Sequence, residues 1–163
     1  MTIKTAMAAL VLGTILLSCA AAQQGAFQTV SDRDLQLLRK DLQSEKKQII
    51  AANLLLTTVE AQNFWPVYDQ YAAELAKIND IKVSVVKDYA ANFEKLSDNQ
   101  ASTLVKRWAE ADQSTTQLRM KYLPMFQKVM SGKKAALFFQ IDRRVGVLID
   151  LQMGAEIPLV QPN

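Results

Sequence analysis

Residues 96–129, LSDNQASTLVKRWAEADQSTTQLRMKYLPMFQKV, carry the pattern from which the fold is read. Ala101, Leu104, Trp108, Ala111, Thr115, Leu118, Tyr122, Met125 and Val129 step by three and four without a miss. That is an a/d seam sustained over about four heptads, the period of a helix paired along its length with another helix. Leu96-Ser97-Asp98-Asn99-Gln100 opens the run as a capping box. The Ser97 oxygen is placed to accept the N3 amide proton, and Gln100 to return to the N-cap amide. Pro124 predicts a bend near the end of the run, and Ser131-Gly132 a turn.

Working upstream, Leu56-Thr57-Thr58-Val59-Glu60 repeats the box 40 residues earlier. It opens a second helix over 58–95, whose face is Phe64, Tyr68, Tyr71, Leu75, Ile78, Val85, Tyr89, Phe93 and Leu96. Lys82 interrupts that face, with Ile81 as the expected apolar substitute. Pro66 removes the bond to the Gln62 carbonyl and predicts a kink, and a straight helix of this length would measure about 55 Å. Before it, Ser31 with Asp32 and Asp34 starts a helix over 31–53 bearing Leu35, Leu38, Leu42 and Ile49 on one face. Downstream, 133–153 carries Phe138, Ile141, Val145, Leu148 and Gln152 on one face, broadened by Leu137 and Phe139. Gly146 predicts a close helix crossing, Gly154 the helix end, and Ile157-Pro158-Leu159-Val160 an apolar tail packed back on the bundle. The expected fold is all-α, an elongated antiparallel bundle or hairpin of about four helices with short turns.

The first residues read as an export signal over 1–22: Lys4, an apolar stretch over 6–17, and Ala20-Ala21-Ala22 as a cleavage site. Leu16-Leu17-Ser18-Cys19 partly matches a lipobox, so two processings are open. Soluble periplasmic release is favoured by the alanines, and a lipid anchor at Cys19 is the other. Residues 23–30 form a flexible lead, and 31–160 a single all-α domain. No later segment reads as a transmembrane helix. The net charge of +3 comes without a dense basic face interleaved with aromatics, which argues against nucleic acid.

The two boxes, the export signal, the size and the long antiparallel helices resemble the Spy/CpxP-like periplasmic proteins, the LTxxQ-motif family. The motif residues are Leu56, Thr57 and Glu60, then Leu96, Ser97 and Gln100. Both boxes depart from the literal motif, with Glu60 for Gln and Ser97 for Thr, and each change keeps the capping chemistry. The resemblance implies an ATP-independent chaperone or stress-response protein, a homodimer, and a surface that binds partly unfolded envelope proteins. The alternative is a non-enzymatic signalling or scaffold module that binds one envelope sensor.

Chemistry is poorly represented. The chain has no histidine, and its one cysteine lies in the leader or at its end, so no enzyme, cofactor or metal site is expected. Glu110 and Asp112 diverge on their helix, and Met120, Met125 and Met130 spread around theirs as core filling. Trp65, beside the seam, is read as packing or as a client contact. Among the basic groups, Arg39, Lys46 and Lys47 on the first helix and Arg143 and Arg144 on the last are the client-binding candidates, with solvated faces as the plain alternative. Asp142 is expected to form a salt bridge between helices.

Overall fold

The structure, a computed structural model, describes residues 44–156 and 159–160, with side chains over 44–151 and at 159–160. The chain divides into two units, Met1–Val30 and Ser31–Asn163, and every described residue belongs to the second. Helix α1 is described over 44–54. Helix α2 spans Thr58–Asn92 and tightens into a 3-10 turn at Phe93–Lys95; α3 spans Asp98–Val129 and α4 spans Gly132–Glu156. No strand occurs among the described residues, and the fold is all-α. The expected leader with Cys19, the lead over 23–30, the Ser31 cap and Arg39 lie outside the described residues.

Both boxes cap their helices. The Glu60 amide donates to Thr57 Oγ1 at 3.2 Å, while the Thr57 amide donates to Glu60 Oε2 at 2.8 Å. The Gln100 amide donates to Ser97 Oγ at 3.3 Å, and the Ser97 amide to Gln100 Oε1 at 2.9 Å. At α4 the Ser131 hydroxyl accepts from the Lys134 amide, so Gly132 is the first helical residue rather than part of a turn. Helices α2 and α3 continue through Pro66 and Pro124. Each proline withholds one amide from a carbonyl a turn earlier and crowds it with its ring, a local cost that packing along so long a helix outweighs.

Polar contacts fix the helix directions. Glu74 of α2 accepts from Lys121 and Tyr122 of α3, while nearer the connecting turn Asp88 pairs with Arg107, so α2 and α3 form an antiparallel hairpin. Lys47 of α1 pairs with Asp69, returning α1 along α2. Helix α4 runs parallel to α2: Lys134 meets Glu60, Asp142 meets Tyr71, and Asp150 meets Lys82.

Aromatic rings dominate the core. Phe64, Tyr71, Phe126 and Phe138 are fully enclosed, and the Phe126 and Phe138 ring centroids stand 4.4 Å apart. Such ring pairs contribute about 0.5–1.5 kcal/mol each beyond the area they bury. Ile50 and Leu54 of α1, Tyr68 of α2, Leu118 and Tyr122 of α3, Met130 just past its end, and Ala135 and Ile141 of α4 complete the cluster.

Several expectations are corrected. Lys82 does not interrupt the α2 seam but occupies it, 7% exposed, while Ile81 faces out. On α3 the expected Ala111, Leu118 and Tyr122 are buried, but beyond Tyr122 the row steps by four to Phe126 and to Met130 at the helix end, with Met125 and Val129 beside it. Gly146 marks no close crossing: a Cβ built there meets only an Arg119 side-chain nitrogen, at 3.9 Å. Helix α4 passes through Gly154 to Glu156. Leu148 is exposed, and so are Leu159 and Val160 of the expected packed tail.

Candidate functional site

Four helices converge on one carboxylate. Asp142 of α4 is 1% exposed; its Oδ1 accepts from Lys46 Nζ of α1 at 2.5 Å. Its Oδ2 accepts from the Tyr71 hydroxyl of α2 at 2.8 Å and from Arg119 Nε of α3 at 3.1 Å. Burial, then the Asp142 charge, pushes the Tyr71 hydroxyl far above its ordinary pKa. Burial alone would draw Arg119 down, but Asp142 and Tyr71 together outweigh it and the guanidinium is held more firmly protonated. The salt bridge expected at Asp142 is present, and it is a node of four residues rather than a pair.

A second junction lies further along α4. Lys82 donates to Asp112 at 2.6 Å and stands 3.6 Å from Asp150, with its ammonium 5.1 Å from the Trp108 ring centroid. The long stem fills an apolar seam while two carboxylates and the ring face neutralise the head. A third lies at the α4 start, where Glu60 accepts from Lys134 Nζ at 2.6 Å while still closing its capping box. Lys134 first, then the Thr57 amide, holds Glu60 below the usual carboxylate range. A glutamine at position 60 could cap the helix but would bring no charge to Lys134, so the carboxylate adds an ion pair between the start of α2 and α4. Lys134 also donates to the carbonyl of Leu55, whose φ of 45° is left-handed, a conformation unfavourable for a side-chain-bearing residue.

The structure separates the client-binding candidates. Lys46 is spent on Asp142 and is withdrawn as a surface contact. Lys47 pairs with Asp69 and lies over the rings of Trp65 and Tyr68, and Trp65 is half-buried against the core. Arg143 and Arg144 are exposed and line a shallow groove with Gln140, Val147 and Leu148. Val147, Leu148 and Leu151, 56, 65 and 69% exposed, continue that surface along α4. Positions 140, 144, 147 and 151 share one face at helical spacing, so apolar side chains flanked by guanidinium groups form one stripe.

Among the described residues no group of three or more His, Cys, Asp or Glu side chains is placed to hold a metal ion. No described helix is long and apolar enough to cross a membrane. Comparison with protein-family models, with curated proteins and with solved structures finds no match. The class of the chain is therefore defined by its own geometry: an all-α bundle with a charged interior junction and an apolar, arginine-flanked outer face on α4.

Proposed function

We propose that this chain is an exported, periplasmic binding protein of the LTxxQ type that shields partly unfolded envelope proteins without ATP and performs no reaction. The observation that carries this reading is the outer face of α4, where Val147, Leu148 and Leu151 stand in water beside Arg143 and Arg144. A contiguous exposed apolar surface rimmed by polar groups marks an interaction site, and the long arginine stems extend it while their charges stay hydrated. The interior acids and bases support the same reading, because Asp142, Lys82 and Tyr71 each spend their polar atoms on a neighbouring helix. A second reading, a scaffold module docking one envelope sensor, is favoured by the shortness of the apolar stripe.

The test is light scattering from an unfolding client with the purified protein and no nucleotide. Suppression near equimolar ratio that weakens in Val147→Ser/Leu151→Ser and in Arg143→Gln/Arg144→Gln supports shielding. Unchanged aggregation across several clients rejects it in favour of a dedicated partner, identified next by crosslinking from position 147.

A further inference from the structure

We infer that α4 beyond Gly146 is a detachable arm, hinged at Gly146 and latched by Asp150 on Lys82. This rests on the reading of the α4 outer face as the binding surface, and it supplies that surface with a control: ionic strength sets how often the arm is free.

Four observations converge on it. First, among the described side chains the core contribution of α4 stops short of the hinge. Ala135, Phe138 and Ile141 are buried and Val145 packs beside them, but no side chain over 146–151 joins that cluster. Second, Gly146 has no packing reason to be glycine, because an added methyl group would sit in ordinary contact with a flexible arginine tip. A helix-interior glycine without such a reason weakens the helix where it stands.

Third, the ties between α4 and α2 fall out of step. On α2 they lie at Glu60, Tyr71 and Lys82, and on α4 at Lys134, Asp142 and Asp150. Eleven residues of α2 rise about 16.5 Å, whereas eight residues of α4 rise about 12 Å. Over two intervals the mismatch reaches about 9 Å, which leaning side chains must absorb. The first two ties close at 2.6 Å and 2.8 Å, ordinary hydrogen-bond lengths, whereas Asp150 stands off at 3.6 Å.

Fourth, opening the latch strands no buried charge. Lys82 keeps Asp112 at 2.6 Å and the Trp108 ring, and Asp150, with its side chain 49% exposed, passes into water. The freed arm carries Val147, Leu148 and Leu151 away from the bundle and exposes the half-buried Ile149 on its inner side.

Hydrogen exchange followed by mass spectrometry on the whole chain, at low salt and at high salt, tests the arm. Amides over 147–156 exchange as one unit, faster than those over 133–145, with a step at Gly146. High salt speeds the arm by about threefold to fivefold, the range of a partly exposed ion pair. Asp150→Asn produces the same acceleration and removes the salt response, and Gly146→Ala slows the arm by about fivefold. A smooth gradient of fraying from the helix end, or an Asp150→Asn chain that exchanges like the parent, overturns the proposal. Val147→Ser/Leu151→Ser removes the contact surface without touching the latch. If that variant keeps both the exchange step and client shielding, the binding reading falls and the arm stands. If the step is missing while the variant loses shielding, the arm falls and the binding reading stands.

Discussion

Replacing Asp142 with asparagine changes the side-chain volume little and removes the one negative charge set between Lys46 and Arg119. In the parent chain Oδ1 serves Lys46, and Oδ2 serves both Tyr71 and Arg119. An asparagine must turn its amide nitrogen toward one of those two sides, so a donor faces a donor whichever way it sits. Breaking a buried pair by removing one partner costs about 3–5 kcal/mol. Here the surviving side chains are 14% exposed at Lys46 and 31% at Arg119, so water recovers part of the loss. We expect about 3 kcal/mol, equivalent to a midpoint lowered by about 10 °C in a domain of this size. Urea unfolding followed by circular dichroism measures it, with an unchanged slope confirming that stability alone has moved. A double-mutant cycle with Lys46→Met isolates the pair, because in the Asp142→Asn chain Lys46 has no anion left to lose. A loss below about 1 kcal/mol, or a Lys46→Met cost that is the same in both backgrounds, would show that the node does not hold the helices as argued.

Other consequences are read from the same contacts. Lys82→Met keeps the buried stem and strands only Asp112 and Asp150, whose side chains are 55% and 49% exposed, so it costs no more than about 1 kcal/mol by the same unfolding assay; a cost near that of Asp142→Asn would contradict the ranking. All four tyrosines titrate late in the folded chain: burial, then the Asp142 charge, pushes Tyr68 up to about 12, and burial, then the bond to Glu74, pushes Tyr122 up to about 12, while Tyr71 and Tyr89 are also raised by burial. Because these folded pKa values lie above the unfolded value, their contribution is full below about pH 10 and is lost as pH rises toward 12, so phenolate absorbance should grow together with unfolding. Appreciable phenolate in the folded chain near pH 10 would refute that order. Leu55→Gly relieves about 1–2 kcal/mol of left-handed strain at φ 45° but adds about 0.5–1 kcal/mol of unfolded-chain entropy, and its side chain is 77% exposed, so it stabilises the chain by about 0.5 kcal/mol; a clear loss in the unfolding assay would mean that Leu55 packs more than its exposure suggests.

The helices were legible because their signals are local. The two capping boxes and the seam from Ala101 to Val129 depend on residues within one turn of each other, and the structure forms both boxes and pairs α3 along its length. The seam went astray where two local rules agree equally well. After Tyr122, a step of three gives Met125 and a step of four gives Phe126, and only the rings that α2 and α4 pack against the step-of-four row decide for Phe126. Lys82 misleads for a related reason. A lysine in an apolar face looks like an interruption until Asp112, Asp150 and Trp108 arrive from two other helices, and nothing near position 82 announces them. Asp142 could be seen as a pairing residue, but not that Lys46, Tyr71 and Arg119 would share it, which also removed Lys46 from the surface candidates. The α4 stripe is half legible: Arg143 and Arg144 stand out as charge, whereas the helical spacing puts Leu148 on the core face.

The interior charges act on register more directly than on net stability. An aromatic core such as this one tolerates sliding, because Phe138 and Phe139 on α4 both lie within reach of Phe126 and Tyr71. A slip of α4 by one turn, about 5.4 Å, would still bury rings against rings. It would also carry Asp142 away from Tyr71 and Arg119 and leave a fully buried carboxylate without donors, which no aromatic contact repays. Lys134 on Glu60 enforces the same register from the first turn of α4. Both ties lie before Gly146, so the part of α4 that packs into the core is fixed in place twice. The part that follows is held by a third, longer and shared contact at Lys82. The division of α4 into a registered half and a loosely held half thus follows from where the charges sit, and the apolar stripe with its arginines spans the boundary between them.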